Sequence, residues 1–258
     1  YDPLKRLTGA DYSTGERYEY AYDAVGNRTV MTETTPADGT RTTHYTYDAA
    51  NRLTSVDGVA YTWDDRGNLT HDGTFTYTFD AAGRMVRAET VTATLVYTYN
   101  ANGLRVAQAV DGEVATYAWD WASGLPEMLS NGDALYLVGH ETLGQFVGGE
   151  WSYHLSDALG SVRQAASGTG AVTTAREWTP YGVEVGGAQP GLGYTGEWWD
   201  ESLEMVYLRA RWYDAYLNRF TSPDPIIPDY QNPQTLNRYI YALGNPINLT
   251  DPSGLSAI

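Results

Sequence analysis

The chain has no cysteine among its 258 residues, which excludes a disulfide framework and any thiolate metal or redox site. No apolar stretch approaches the ~20 residues of a membrane-spanning helix. The amino terminus lacks the basic, apolar and small-residue succession of a secretion signal. It opens at Tyr1-Asp2-Pro3, inside what reads as a repeat, so the chain is expected to be a piece of a longer protein whose targeting signal lies upstream. Positive charge is scarce: 16 Lys plus Arg stand against 32 Asp plus Glu, for a net charge of −16. That balance argues against a nucleic-acid backbone or an anionic membrane as partner. Basic partners and a merely solvated acidic surface both remain compatible with it. The only histidines are His44, His71, His140 and His154, none at ligand spacing from another. Walker, dinucleotide-binding and nucleophile-elbow motifs are missing as well. No cofactor and no metal site are therefore predicted.

What the chain does have is 22 tyrosines and 27 glycines, the composition of a turn-rich β-protein. Up to about residue 126 one unit recurs: aromatic, any residue, aromatic, Asp, then Gly or Asn a few residues on. It is seen in YAYDAVGNR, YTYDAANRL, YTWDDRGNL, YTFDAAGRM, YTYNANGLR and YAWDWASGL, with the acid or amide at Asp23, Asp48, Asp64, Asp80, Asn100 and Asp120. The unequal spacing of these positions predicts hairpin arms of different length around a constant turn.

The unit can be read physically. In Tyr45-Thr46-Tyr47 both rings share one face of a strand, the period of two that a half-buried strand shows. Asp48 then opens a turn, its carboxylate accepting backbone N–H groups ahead of it, with a following Gly or Asn in the left-handed conformation. Calcium could be held by acid-rich turns such as Asp64-Asp65, but calcium-loop spacings are missing and turn capping is the better account. Stacked hairpins of this kind predict an all-β fold of spiralling antiparallel repeats, a long sheet that curls into a shell or open barrel. The tyrosines suit either a packed core or the wall of a wet cavity.

Residues 1–150 form this hairpin array, still strand-like at Leu135-Tyr136-Leu137-Val138 and Gln145-Phe146-Val147. Residues 151–258 read as a closing region continuous with it, in one structural unit. A hairpin around Gly168, Gly170 and Val172 comes first. A weak helical period over residues 201–214 competes with a strand at 206–209, and a short helical turn is expected at 233–237 with Asn232 as cap and Pro233 in its first turn.

Four segments of the tail, YLRARWYD, RFTSPDP, NRYIYALGNP and DPSGL, occur in that order between residues 207 and 255. Together they resemble the RHS/YD-repeat associated core, the family that includes the C components of insecticidal Tc toxins and the YD shells of teneurins. HLSDALGSVRQ and REWTPYG upstream are similar to the segment that precedes that core. The resemblance implies a shell closed by a terminal plug whose motif residues are Arg209, Arg211, Tyr213, Asp214, Arg219, Asn237, Arg238 and Tyr239. It implies a secreted or cell-surface protein, with upstream repeats or a C-terminal cargo of the same polypeptide as partner. In many such proteins the core is also a self-cleaving aspartic protease. Carried over here, the pair is Asp224 and Asp251 and the cut falls after Leu255. The sequence departs from that pattern at Pro223, where a basic residue is usual, and in residues 226–236, which replace a glycine-rich stretch. The alternative for both aspartates is structural, as partners of Arg209, Arg211, Arg219 or Arg238. A second function class is a recognition module that binds a glycan or a cell-surface protein through exposed aromatics, with Trp198 and Trp199 as the platform.

Overall fold

A computed structural model describes every residue except 123, 187, 188 and 190. Among the described residues there are strands, three short 3-10 turns and no α-helix. The strands form four antiparallel meanders in chain order: six strands within residues 9–60, seven within 62–116, seven within 118–175 and five within 191–220. Residue 150 begins the strand Glu150–Ser156, inside the third sheet.

The turn of each repeat is built as its chemistry dictates. The Asp48 N–H donates to Arg52 O at 3.0 Å and the Asn51 N–H returns to Asp48 O at 3.1 Å. The carboxylate Oδ1 accepts from the N–H groups of Ala50 and Arg52, both at 2.9 Å, and Oδ2 takes Arg52 Nε at 2.7 Å. The Asp23, Asp64 and Asp80 turns repeat this scheme, with Asn27, Asn68 and Arg84 four residues on. The third residue after the acid carries positive φ each time, 62° at Asn51 and 87° at Gly67, which is why Gly or Asn stands there.

The long sheet expected from stacked hairpins is interrupted. The ladder breaks at Tyr61 and at Tyr117, where one backbone hydrogen bond carries over to the preceding sheet, from Tyr61 N to Thr54 O and from Tyr117 N to Val106 O. These breaks let the wall bend. The curled wall is therefore several sheets in series rather than one.

The first aromatic is core in every unit but one, Tyr61 being half-buried. Tyr20, Tyr45, Tyr77, Tyr97 and Tyr117 are all buried. The second is half-buried at a β-bulge, as at Tyr22, Tyr47 and Tyr99, and a bulge re-aims a side chain. Its polar tip reaches back one repeat. Tyr22 Oη donates to Leu7 O, Tyr47 Oη to Arg28 O, Trp63 Nε1 to Leu53 O, Tyr99 Oη to Met85 O and Trp119 Nε1 to Arg105 O, at 2.6–2.8 Å. The accepting carbonyl is always the fifth residue after the previous turn's acid or amide. Phe79 breaks the series because it has no donor.

The fourth sheet is the hub. Met205–Leu208 and Arg211–Asp214 are buried on both faces, alternate side chains packing on different walls. Met205, Tyr207 and Trp212 join Leu69, Tyr77, Met85, Leu95 and Tyr97 of the second sheet in one apolar cluster. Trp198 and Leu192 join Met128 and Tyr136 of the third, together with Tyr117 at the break before it. Leu217 meets Tyr45 and Leu53 of the first. The expected strand around 206–209 is thus observed in place of helix, with Arg209 at φ 55° in the turn between the two strands. The helical turn is the 3-10 segment Pro233–Leu236, although the Asn232 side chain makes no capping hydrogen bond.

Candidate functional site

The plug fastens successive turns of the array. Gln234 Nε2 donates to Leu4 O, and Asn237 Nδ2 donates to Asn27 Oδ1 at 2.9 Å and to Val25 O at 3.3 Å. Arg219 donates to Asn51 O and lies over the rings of Tyr47 and Tyr239 at 4.9 and 5.0 Å. Tyr239 Oη donates to Gly67 O at 2.8 Å. The Arg105 N–H donates to Tyr207 Oη at 2.9 Å. Tyr213 is fully buried, stacked on Tyr241 at 4.1 Å, and donates to Tyr181 O. Asp214 accepts the Leu217 N–H at 2.9 Å, and burial pushes its carboxyl up to about 7.

One buried pair joins wall to plug by charge. Arg105 of the second sheet is completely buried and meets Asp200 at 2.8 Å, with Gln108 hydrogen-bonded to both. Four rings, Tyr97, Tyr117, Tyr207 and Trp212, stand within 5.8 Å of its guanidinium. No motif pointed to this residue. Its only signal was an arginine five positions after a turn amide, a place that holds an apolar residue in neighbouring repeats.

Asp224 and Asp251, distant in sequence, converge on Arg211. Its Nη2 lies 2.8 Å from Asp224 Oδ2 and 3.6 Å from Asp251 Oδ2. Burial pushes the Asp224 carboxyl up while Arg211 draws it down. Burial likewise lowers Arg211 to about 10, against the opposing pull of both acids. Arg238 Nε donates to the Asp224 backbone oxygen at 2.7 Å. Asp251 Oδ1 accepts the N–H groups of Leu255 and Ser256 at 2.9 and 2.8 Å, and Arg211 Nε donates to Gly254 O. The Gly254–Leu255 peptide is thus held from both sides, by Arg211 and Asp251, and the Leu255–Ser256 peptide by Asp251 through its N–H. Asp224, Asp251, Arg211, Leu255 and Ser256 share a cavity of about 280 Å³. Gly254 makes the approach possible: at φ 69°, a Cβ there would sit 2.3 Å from Leu208 O. Arg209 buttresses the same turn, donating to Pro126 O and Pro252 O and pairing with Glu197 at 2.7 Å.

The chemistry of this cluster has two sides. A guanidinium shared by two carboxylates favours both as anions, the arrangement of a structural clamp. An acid–base pair acting on water needs one of them protonated.

The exposed aromatic platform is corrected by the structure. Trp199 is 4% exposed and packs on Val206 and Tyr213, while Trp198 is half-buried against Tyr117 and Tyr136. Both were displaced inward because the strand Trp198–Asp200 lies inside the wall rather than on its rim. They line one side of a cleft of about 340 Å³ with Glu113, Asp133 and Glu201 around it.

Comparison with known proteins is consistent with this architecture. The family model described as Teneurin YD-shell matches residues 1–118 and 148–247. The tRNA3(Ser)-specific nuclease WapA of Bacillus spizizenii is 28% identical over 275 residues, covering 98% of this chain and 12% of that protein. Human Teneurin-4 is 25% identical over 273 residues, covering 96% of this chain and 10% of that one. The chain thus spans about a tenth of the length of these relatives. Among solved structures, TcdB2-TccC3 superposes with a TM-score of 0.76 at 19% identity, over 99% of this chain and 16% of that one. The Photorhabdus luminescens Tc holotoxin pore gives 0.77 at 18% identity, over 99% and 15%. At that identity the likeness concerns the fold. Among the described residues no helix is long and apolar enough to cross a membrane.

Proposed function

Since the chain belongs to the teneurin YD-shell family, and is a structural segment of such a shell, we propose that its parent protein encloses or presents a C-terminal segment of the same polypeptide, outside the cell. The observation that carries this reading is the plug itself. Its side chains fasten the turns at Leu4, Asn27, Asn51 and Gly67 in sequence, so whatever follows the plug starts from a closed end of the wall. A solved neighbour is described as TcdB2-TccC3 "without hypervariable C-terminal region", so that protein carries a variable C-terminal segment, in keeping with this reading. The test is protease protection in the full-length parent. A segment after residue 258 that resists digestion until the shell is unfolded supports the proposal; digestion at the rate of a free peptide refutes it.

A second reading is autocleavage at Leu255–Ser256, and the observation favouring it is the hydrogen bond from the Ser256 N–H to Asp251 Oδ1, on the nitrogen that would leave. Asp224 would take a proton from water as its oxygen adds to the Leu255 carbonyl carbon. Asp251, in its acid form, would give its proton to the Ser256 nitrogen as the C–N bond breaks. The products are a Leu255 carboxylate and a free Ser256 amine. Mass spectrometry of the chain with its native extension should find a fragment ending at Leu255 that is missing in Asp224→Asn and Asp251→Asn. Equal processing in wild type and both variants would rule out this chemistry.

A further inference from the structure

Two arginines hold the same place in their repeats, five residues after the turn acid or amide: Arg28 after Asp23 and Arg105 after Asn100. Both are buried among rings. Arg28 lies 4.6 Å from the Tyr45 centroid and 5.8 Å from those of Tyr20 and Tyr181. They differ in counter-charge. Arg105 has Asp200 at 2.8 Å, whereas Arg28 forms no ion pair among the described residues. Its Nη2 donates to Tyr45 Oη and Tyr216 O, and its buried Nε–H, like that of Arg105, makes no hydrogen bond. A buried cation left without an anion is costly.

The space beside Arg28 differs too. Arg28 lines a cavity of about 370 Å³, walled by Tyr18, Tyr20, Tyr45, Tyr61 and Tyr181, which is within the size range of small-molecule sites. The exposed Arg41 and Tyr216 and the half-buried Glu33 also line it, so one carboxylate and a second guanidinium stand farther out than Arg28. Arg219, also buried and without an ion pair among the described residues, has beside it only about 10 Å³, room for a water at most. Asp214 is within electrostatic range of Arg28 but does not pair with it.

We propose that this cavity is a binding site for a small aromatic carboxylate, whose anionic group takes the place beside Arg28 that Asp200 takes beside Arg105. The tyrosine walls supply faces and edges for a ring. The Arg28 guanidinium, which lines the cavity, supplies a charge-assisted hydrogen bond to a carboxylate oxygen. A single guanidinium inside matches a monoanion rather than a dianion. The site is independent of the shell and cleavage roles above.

Three probes with one ring and different charge test it by calorimetry on the whole chain: phenylacetate, its methyl ester and phenethylamine. Phenylacetate should bind saturably, the ester at least tenfold more weakly, and the amine not at all at the same concentration. Val56→Phe fills the cavity from its wall without touching Arg28 and should abolish phenylacetate binding in a chain that melts normally. Arg28→Met should lose the preference for the anion over the ester. No saturable phenylacetate binding, equal affinity for all three probes, or unchanged affinity in Val56→Phe would each overturn the proposal.

Discussion

The join between wall and plug can be weighed at Arg105 and Asp200. Asp200→Asn keeps the shape of the side chain and removes its charge, leaving a guanidinium that is completely buried and otherwise answered by Gln108 and four ring faces. Breaking a buried pair from one side typically costs about 3–5 kcal/mol, because the remaining charge is uncompensated. For a domain of this size 1 kcal/mol moves the melting temperature by roughly 2 °C, so the variant should melt about 6–10 °C lower. The double change Arg105→Met with Asp200→Leu removes both charges and should recover at least half of that loss, since buried pairs are often replaceable by apolar residues. Thermal melts followed by tyrosine and tryptophan signals measure both. A single variant within about 1 °C of wild type, or a double variant as unstable as the single, would refute the claim that charge compensation holds plug to wall.

Tyr47→Phe removes the donor to Arg28 O and should cost about 1 kcal/mol in urea unfolding with unchanged m. Phe79→Tyr should gain a similar amount by restoring the series at Leu69 O; a loss instead would mean the series is not a general device. Gly254→Ala, which drives a methyl into Leu208 O, should destabilise by more than 1 kcal/mol and loosen the 250–258 turn, seen as faster amide exchange there. Asp214 titrates near 7 in the fold against 3.8 as its ordinary value, because burial disfavours its charge. Its contribution to stability is therefore fully present below about pH 4 and is lost as pH rises to 7, by up to about 1.4 kcal/mol per pH unit. Asp214→Asn should gain on wild type over that window; a constant difference between pH 4 and 7 contradicts the shift.

Much of this architecture was legible because its signals are local. The aromatic pair and the acid beyond it fix a strand and its turn within nine residues, and Asp48 caps Arg52 through atoms only four positions away. The tail motifs likewise announced a plug. What lay beyond reading was pairing at long range. Nothing near Arg105 names Asp200, and nothing near Trp199 says that the strand Trp198–Asp200 is enclosed rather than on a rim. The clasp from each second aromatic to the previous repeat depends on how hairpins stack, which spacing alone does not give. The convergence of Asp224 and Asp251 was inferred from family motifs, but the guanidinium of Arg211 shared between them is visible only in three dimensions.

The central claim is that the terminal sheet is the interior of the wall and unfolds only with it. Native-state hydrogen exchange across a denaturant series tests this most directly. Amides of Met205–Leu208 and Arg211–Asp214 should be among the slowest in the chain and share the free energy and denaturant slope of global unfolding with the strands Met85–Glu89 and Thr94–Tyr99. Exchange of the terminal sheet through a lower-energy opening, while those wall strands stay protected, would contradict it.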